Sequence, residues 1–171
     1  MDSLLERIAN PLHVALAIVT GWLVVSSPWV ELYKQLPDDA GWITHLHVWL
    51  GWAALLLGLL YLAVCARGGR WRMYFPWAGG QMEAVRRDVA GIFRGEVPSV
   101  EGGGLFALIE GLLLLALVTA GLTGALWFFT EGTSAAVGWR EWHIGTARAA
   151  VALLVLHVVS VSLHLLDFVR G

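Results

Sequence analysis

The sequence predicts an all-α integral membrane protein: a four-helix bundle, N-in/C-in, with a short interfacial helix between spans 2 and 3. Three observations predict it. The 171 residues are 58% hydrophobic and only 14% charged, with a mean hydropathy of +0.70, which takes the chain out of the water-soluble globular class. Four apolar stretches each reach the about 20 residues that a hydrocarbon core of about 30 Å requires of a helix. The cationic residues gather in one connection and at the two termini instead of spreading over all the loops. Four spans leave only short loops and one longer connection, so residues 1–171 are expected to form a single transmembrane domain. The net charge of −2 and near-neutral pI carry no nucleic-acid signal. Cys65 is the one cysteine, which excludes an internal disulfide and a thiolate-held iron–sulfur cluster.

Span one is expected from about Leu12 to Val30. It carries Pro11 and His13 and no small-residue cleavage site, so it reads as a permanent span and not as a cleaved signal. The loop after it, with Glu31, Lys34, Asp38 and Asp39, is acidic. Span two runs from about His45 to Ala66. The connection that follows holds Arg67, Arg70, Arg72, Arg86, Arg87 and Arg94 and is therefore expected on the cytoplasmic side, with Arg7 and Arg170, leaving only Lys34 and Arg140 outside. Within it, Gln81 to Arg94 has helical spacing. Met82, Val85, Val89 and Ile92 form one stripe opposite Arg86 and Arg87, the pattern of a helix lying on the inner membrane surface. Gly95 to Gly104, with Pro98 and three consecutive glycines, reads as a turn into span three. Spans three and four are expected at about Leu105 to Phe129 and Trp142 to Phe168. The tryptophans mostly flank the spans, as an interfacial belt does.

Histidine is the unusual residue of these segments, because a polar ring in an apolar span is costly and usually functional. His143 and His157 are separated by about 21 Å of helix rise, and both fall within roughly 40° on one face of span four. Alternating span directions then sort the rings by depth. His13 opens span one and lies inward, His47 opens span two and lies outward, His143 is outer and His157 inner. Depth therefore allows two pairs, His13 with His157 and His47 with His143, which predicts two stacked haems, each gripped by imidazoles from different helices. A flat macrocycle needs room one turn from its ligand; Ala17, Gly51 and Ala147 supply a small residue there, whereas Val161 follows His157. Small residues at such positions also serve plain helix packing. His45 points about 200° away from His47 and serves another surface. His164 returns to the ligand face at the cytoplasmic edge and competes with His157 for the inner iron.

The same residues carry a resemblance. Val14 to Thr20 after His13, the string His45-Leu46-His47-Val48-Trp49-Leu50-Gly51, and the block Trp142-His143, Leu156-His157 and Leu163-His164 resemble the bacterial four-helix cytochrome b561 family, related to the cytochrome b subunits of nickel–iron hydrogenases. The resemblance covers nearly the whole chain. It implies two haem b groups in the bacterial cytoplasmic (inner) membrane, His47 and His143 as outer ligands, and His13 and His157 as inner ones in preference to His164. The family's first histidine usually has an aromatic neighbour, where this chain has Val14. Quinone is the implied inner or lateral redox partner, with a bound quinone as a second cofactor, and a periplasmic redox protein or another subunit is the implied outer partner.

Two ionisable groups stand apart from the histidines. Glu110 lies about two turns into span three among Leu105, Leu108, Leu112, Leu113 and Leu114, where a charged carboxylate is costly. It is a candidate for proton handling at an inner quinone site, against the plainer reading of a helix-packing hydrogen bond. Arg148, roughly 140° around span four from His143, is a candidate partner for a haem propionate, against simple snorkelling.

Irons with two protein ligands each keep no open coordination position, so electron transfer is expected in place of oxygen binding or substrate activation. The chain then reads as an electron carrier or oxidoreductase subunit of a larger respiratory or photosynthetic complex, with lipid as its medium. An autonomous superoxide:quinone oxidoreductase is the alternative. Against it, Lys34 and Arg140 outside are outnumbered by Glu31, Asp38, Asp39, Glu131 and Glu141, which builds no funnel for an anion.

Overall fold

The computed structural model describes residues 2–67, 71–96, 98 and 103–170, apart from the side chains of 2–7, 167, 168 and 170. Every regular element among the described residues is helical. The long helices are α1 (Asp2–Ser26), α2 (Trp42–Ala66), α6 (Leu105–Phe129) and α7 (Ala135–Arg170); α3 (Trp71–Tyr74), α4 (Pro76–Gly79) and α5 (Met82–Ile92) lie between α2 and α6. All four long helices are apolar enough to cross a membrane, over Ile8–Trp29, Trp42–Ala66, Leu105–Phe129 and Ala135–Leu166. The expected spans are therefore present.

Two of their boundaries differ from the sequence expectation. α1 starts at Asp2, well before Leu12, and runs through Pro11. Proline removes one N–H from the ladder, but in membrane helices the local backbone adjusts and the helix continues. α7 starts at Ala135 and not at Trp142. Trp139-Arg140-Glu141 reads as loop by hydropathy, yet a helix is free to project beyond the apolar layer. Arg70 and Ser99 to Gly102 lie outside the described residues, as do the side chains of Arg7 and Arg170, which the orientation argument uses.

The chain groups into two compact units, Met1–Val64 with Ala116–Ala149, and Cys65–Leu115 with Ala150–Gly171. In the first, α1 meets α2 through ring contacts of His13 with Tyr61 (centroids 5.6 Å apart) and Trp22 with Trp42 (6.5 Å). α2 and α6 approach closely at glycines. A Cβ on Gly58 would stand 3.2 Å from Val118 Cγ2, and one on Gly121 would stand 2.9 Å from Leu55 Cβ. Small residues let membrane helices touch where lipid provides no hydrophobic drive between them. Near the ends of α6, Trp52 packs on Phe128 and Phe129, with centroids 6.2 and 5.4 Å away. The loop after α1 is tied down by the Glu31 N–H, which donates to Thr44 Oγ1 at 3.2 Å, and by its Lys34 carbonyl, which accepts from the Gly132 N–H at 3.3 Å.

In the second unit, α5 is amphipathic as expected: Val85 is buried, while Arg86 and Arg87 are exposed on the opposite side. Met82, Val89 and Ile92 are also exposed, as an apolar stripe meeting lipid headgroups would be. α5 also starts α6. Asp88 Oδ2 accepts the Leu105 N–H at 2.7 Å, satisfying one of the donors that a helix start leaves over, and its negative charge suits the positive end of the helix dipole. The approach requires glycine: a Cβ on Gly104 would overlap the Asp88 carboxylate, and Gly103 has φ +78°. One turn and a half further along, a Cβ on Gly111 would overlap the Tyr74 carbonyl, so the segment around α3 lies directly against α6.

Candidate functional site

Helix α2 begins at Trp42, which places His47 in its second turn; α7 begins at Ala135, which places His143 in its third. Their imidazoles meet edge-on, with centroids 6.5 Å apart and planes at 86°. A first-row metal ion gripped by two opposed imidazole nitrogens, each about 2 Å away, sets ring centres roughly 6.5 Å apart. The 6.5 Å between the two ring centroids is of that order.

The protonation of the pair supports the same chemistry. His143 Nδ1–H donates to the Ala120 carbonyl at 2.9 Å, which leaves Nε2 as the nitrogen with a free lone pair. A ring nitrogen bonded to a backbone carbonyl is the usual second partner of a metal-ligating histidine, fixing tautomer and orientation. His47 Nδ1 is buried without a hydrogen-bond partner, an arrangement that a buried polar atom seldom keeps unless something else satisfies it. Nothing lies within 4 Å of a Cβ built on Gly51, one turn after His47.

Helix α6 brings no histidine, yet it shapes the surroundings of the His47–His143 pair. The Ala120 carbonyl takes the His143 proton. A Cβ on Gly124 would stand 3.0 Å from His143 Nδ1 and 3.1 Å from Cε1, so the ring lies in the space that glycine leaves. Trp127 lies beside the same ring, with centroids 6.0 Å apart. Thr123 donates to the carbonyls of Thr119 (2.8 Å) and Ala120 (3.0 Å) and sits 3.3 Å from the Thr146 hydroxyl, fastening α6 to α7 one turn from His143.

The remaining candidates fall as follows. His13, exposed on α1, lies against Tyr61 within the first unit. His157 lies in the second unit, its Nδ1 4.0 Å from Glu110 Oε1. His13 and His157 thus belong to different units, and their pairing rests on sequence depth. His164 packs on Phe106, with centroids 6.1 Å apart. Arg148 is exposed. Among the described residues no three His, Cys, Asp or Glu side chains gather as metal ligands; a haem, which brings four nitrogens of its own, asks the protein for only two.

Sequence reasoning missed Ala120, Gly124 and Glu110 as neighbours of histidines. It searched for small residues one turn along the ligand's own helix, whereas these three come from the facing helix. Gly124 carries a readable signal, a glycine in an apolar span; Ala120 carries none, because it acts through its backbone.

A family model described as prokaryotic cytochrome b561 matches residues 6–167. No curated protein and no solved structure gave a match.

Proposed function

Because the chain belongs to the prokaryotic cytochrome b561 family of membrane haem b electron-transfer proteins, we propose that it carries two bis-histidine haems. Through them it passes electrons between membrane quinone and a periplasmic redox partner, as a subunit of a larger inner-membrane complex with both termini inside. The observation that carries this reading is the opposed His47–His143 pair, 6.5 Å between centroids with His143 Nδ1 committed to Ala120.

The haem supplies a reversible one-electron couple. The chain's residues do the rest. His47 and His143 present nitrogen ligands from two helices and so hold the outer group; His13 and His157, matched in depth by sequence, are the proposed inner ligands. With two protein ligands for each group, these residues would leave the iron no place for a small molecule, and the chemistry supplied would be electron transfer alone. Trp127 lies against the His143 ring and gives that side of the proposed site an apolar wall, a kind of shell that tunes potential. Glu110 is proposed to handle the quinone proton on the inner side, and Arg148 to meet a haem propionate by turning its long side chain along α7.

The test is an optical and redox titration of the purified protein. Two low-spin haem b per chain with two resolved midpoints supports the reading; His47→Ala or His143→Ala should remove one pigment and one midpoint and leave the other. Retention of the parent pigment content in either variant overturns it.

A further inference from the structure

α6 gives the two histidines of α7 different partners. His143 Nδ1 faces a neutral group, the Ala120 carbonyl at 2.9 Å, whereas His157 Nδ1 faces a carboxylate oxygen of Glu110 at 4.0 Å. We propose that Glu110 is a positioning residue for His157: it holds the ring by its Nδ1 side, directs Nε2 toward the inner iron, and strengthens that nitrogen as a donor, which lowers the midpoint of the haem that His157 holds. The proposal rests on His157 being an inner ligand.

The geometry supports it in three respects. The histidine side chain is 16% exposed and the carboxyl 40% exposed, so the contact is partly withdrawn from water and each group is expensive to leave without compensation in an apolar span. A rotation of the Glu110 carboxylate would close the separation of 4.0 Å to hydrogen-bond distance. The partner is also of the right kind. Carboxylates and backbone carbonyls are the two common outer partners of metal-ligating imidazole, and they orient the ring and raise its basicity, the carboxylate more strongly because its bond is charge-assisted. A more basic axial nitrogen stabilises the oxidised, more positive iron. The two haems of one helix would then differ in potential through two residues of the facing helix, without any difference in ligand type.

The experiment is Glu110→Gln in the intact haem-loaded protein, read by midpoint titration and by low-temperature spin resonance of the oxidised haems. Gln keeps the size and one acceptor oxygen but removes the anion. The expected result is full pigment content and one midpoint raised by about tenfold in its reduction equilibrium, about 59 mV for one electron. The second midpoint should hold still, with an altered resonance for the first haem only. Unchanged midpoints and resonances with both haems bound overturn the proposal. If Gln costs the inner haem, Glu110→Asp decides: recovery of pigment at the parent potential supports positioning by a carboxylate, and no recovery overturns it. His157→Ala separates this outcome from failure of the underlying reading, since retention of both pigments in that variant would remove His157 as a ligand whatever Glu110 does.

Discussion

His143 donates its Nδ1 proton to the Ala120 carbonyl of the neighbouring helix at 2.9 Å, and that single bond commits one of its two ring nitrogens. Ring choice, tautomer and direction are thereby set by backbone, which no side-chain substitution at position 120 removes. What substitution can alter is the room around the bond.

Gly124 is the first place to alter it. A methyl group there would stand 3.0 Å from His143 Nδ1, so the ring or α6 must yield by a few tenths of an ångström. Gly124→Ala should lower outer-haem occupancy, and Gly124→Val should abolish it, with overpacking of about 1–3 kcal/mol. Haem-to-protein ratio after purification checks this; full occupancy in the valine variant would contradict the packing described.

Asp88 should matter to stability and not to pigment. It caps α6 from another helix, and Asp88→Ala should cost about 1 kcal/mol. The measurement is a thermal unfolding midpoint in detergent beside an unchanged optical spectrum.

Gly111 tests the packing of the short helices. Since a Cβ there would overlap the Tyr74 carbonyl backbone, Gly111→Ala forces the segment around α3 off α6 and should destabilise by about 1–3 kcal/mol. The His47–His143 haem spectrum should persist, because those residues belong to the other unit. Limited proteolysis between α2 and α5 would report the loosened segment.

A surface pair carries a pH dependence of predictable sign. Arg94 bonds Glu96 at 2.9 Å and holds its carboxyl below the usual carboxylate range. A folded value below the unfolded one means that the contribution is complete above the ordinary carboxylate value and fades as pH falls through the lowered one. Both side chains are 60% exposed, so the effect should be small and screened by salt. Comparing acid unfolding of the parent with Glu96→Gln, at low and high salt, checks both sign and screening.

The helices were legible because hydropathy reports what lipid tolerates, and four apolar runs have little alternative. Their ends were less so. Span one reads as starting at Leu12 and span four at Trp142, yet a membrane helix can run through a proline and extend past the apolar layer, as α1 and α7 do. The closeness of His47 and His143 was legible from depth, since successive spans that alternate in direction put the start of span two and the start of span four at one level. The surroundings of the pair were not. The Ala120 carbonyl has no signature in a sequence, and the approach of Glu110 to His157 depends on the rotation of α6 about its own axis, which an almost uniformly apolar helix conceals.

Where α2 meets α6, Gly58 and Gly121 bring the backbones close enough that Val118 and Leu55 lock into the gap. The helix bearing His47 is thereby held against the helix whose Ala120 carbonyl orients His143. If the two imidazoles hold haem as proposed, ligands that stay still while the charge between them changes would leave little reorganisation to accompany each electron. Tight backbone contact some distance along the helices would thus become a matter of speed.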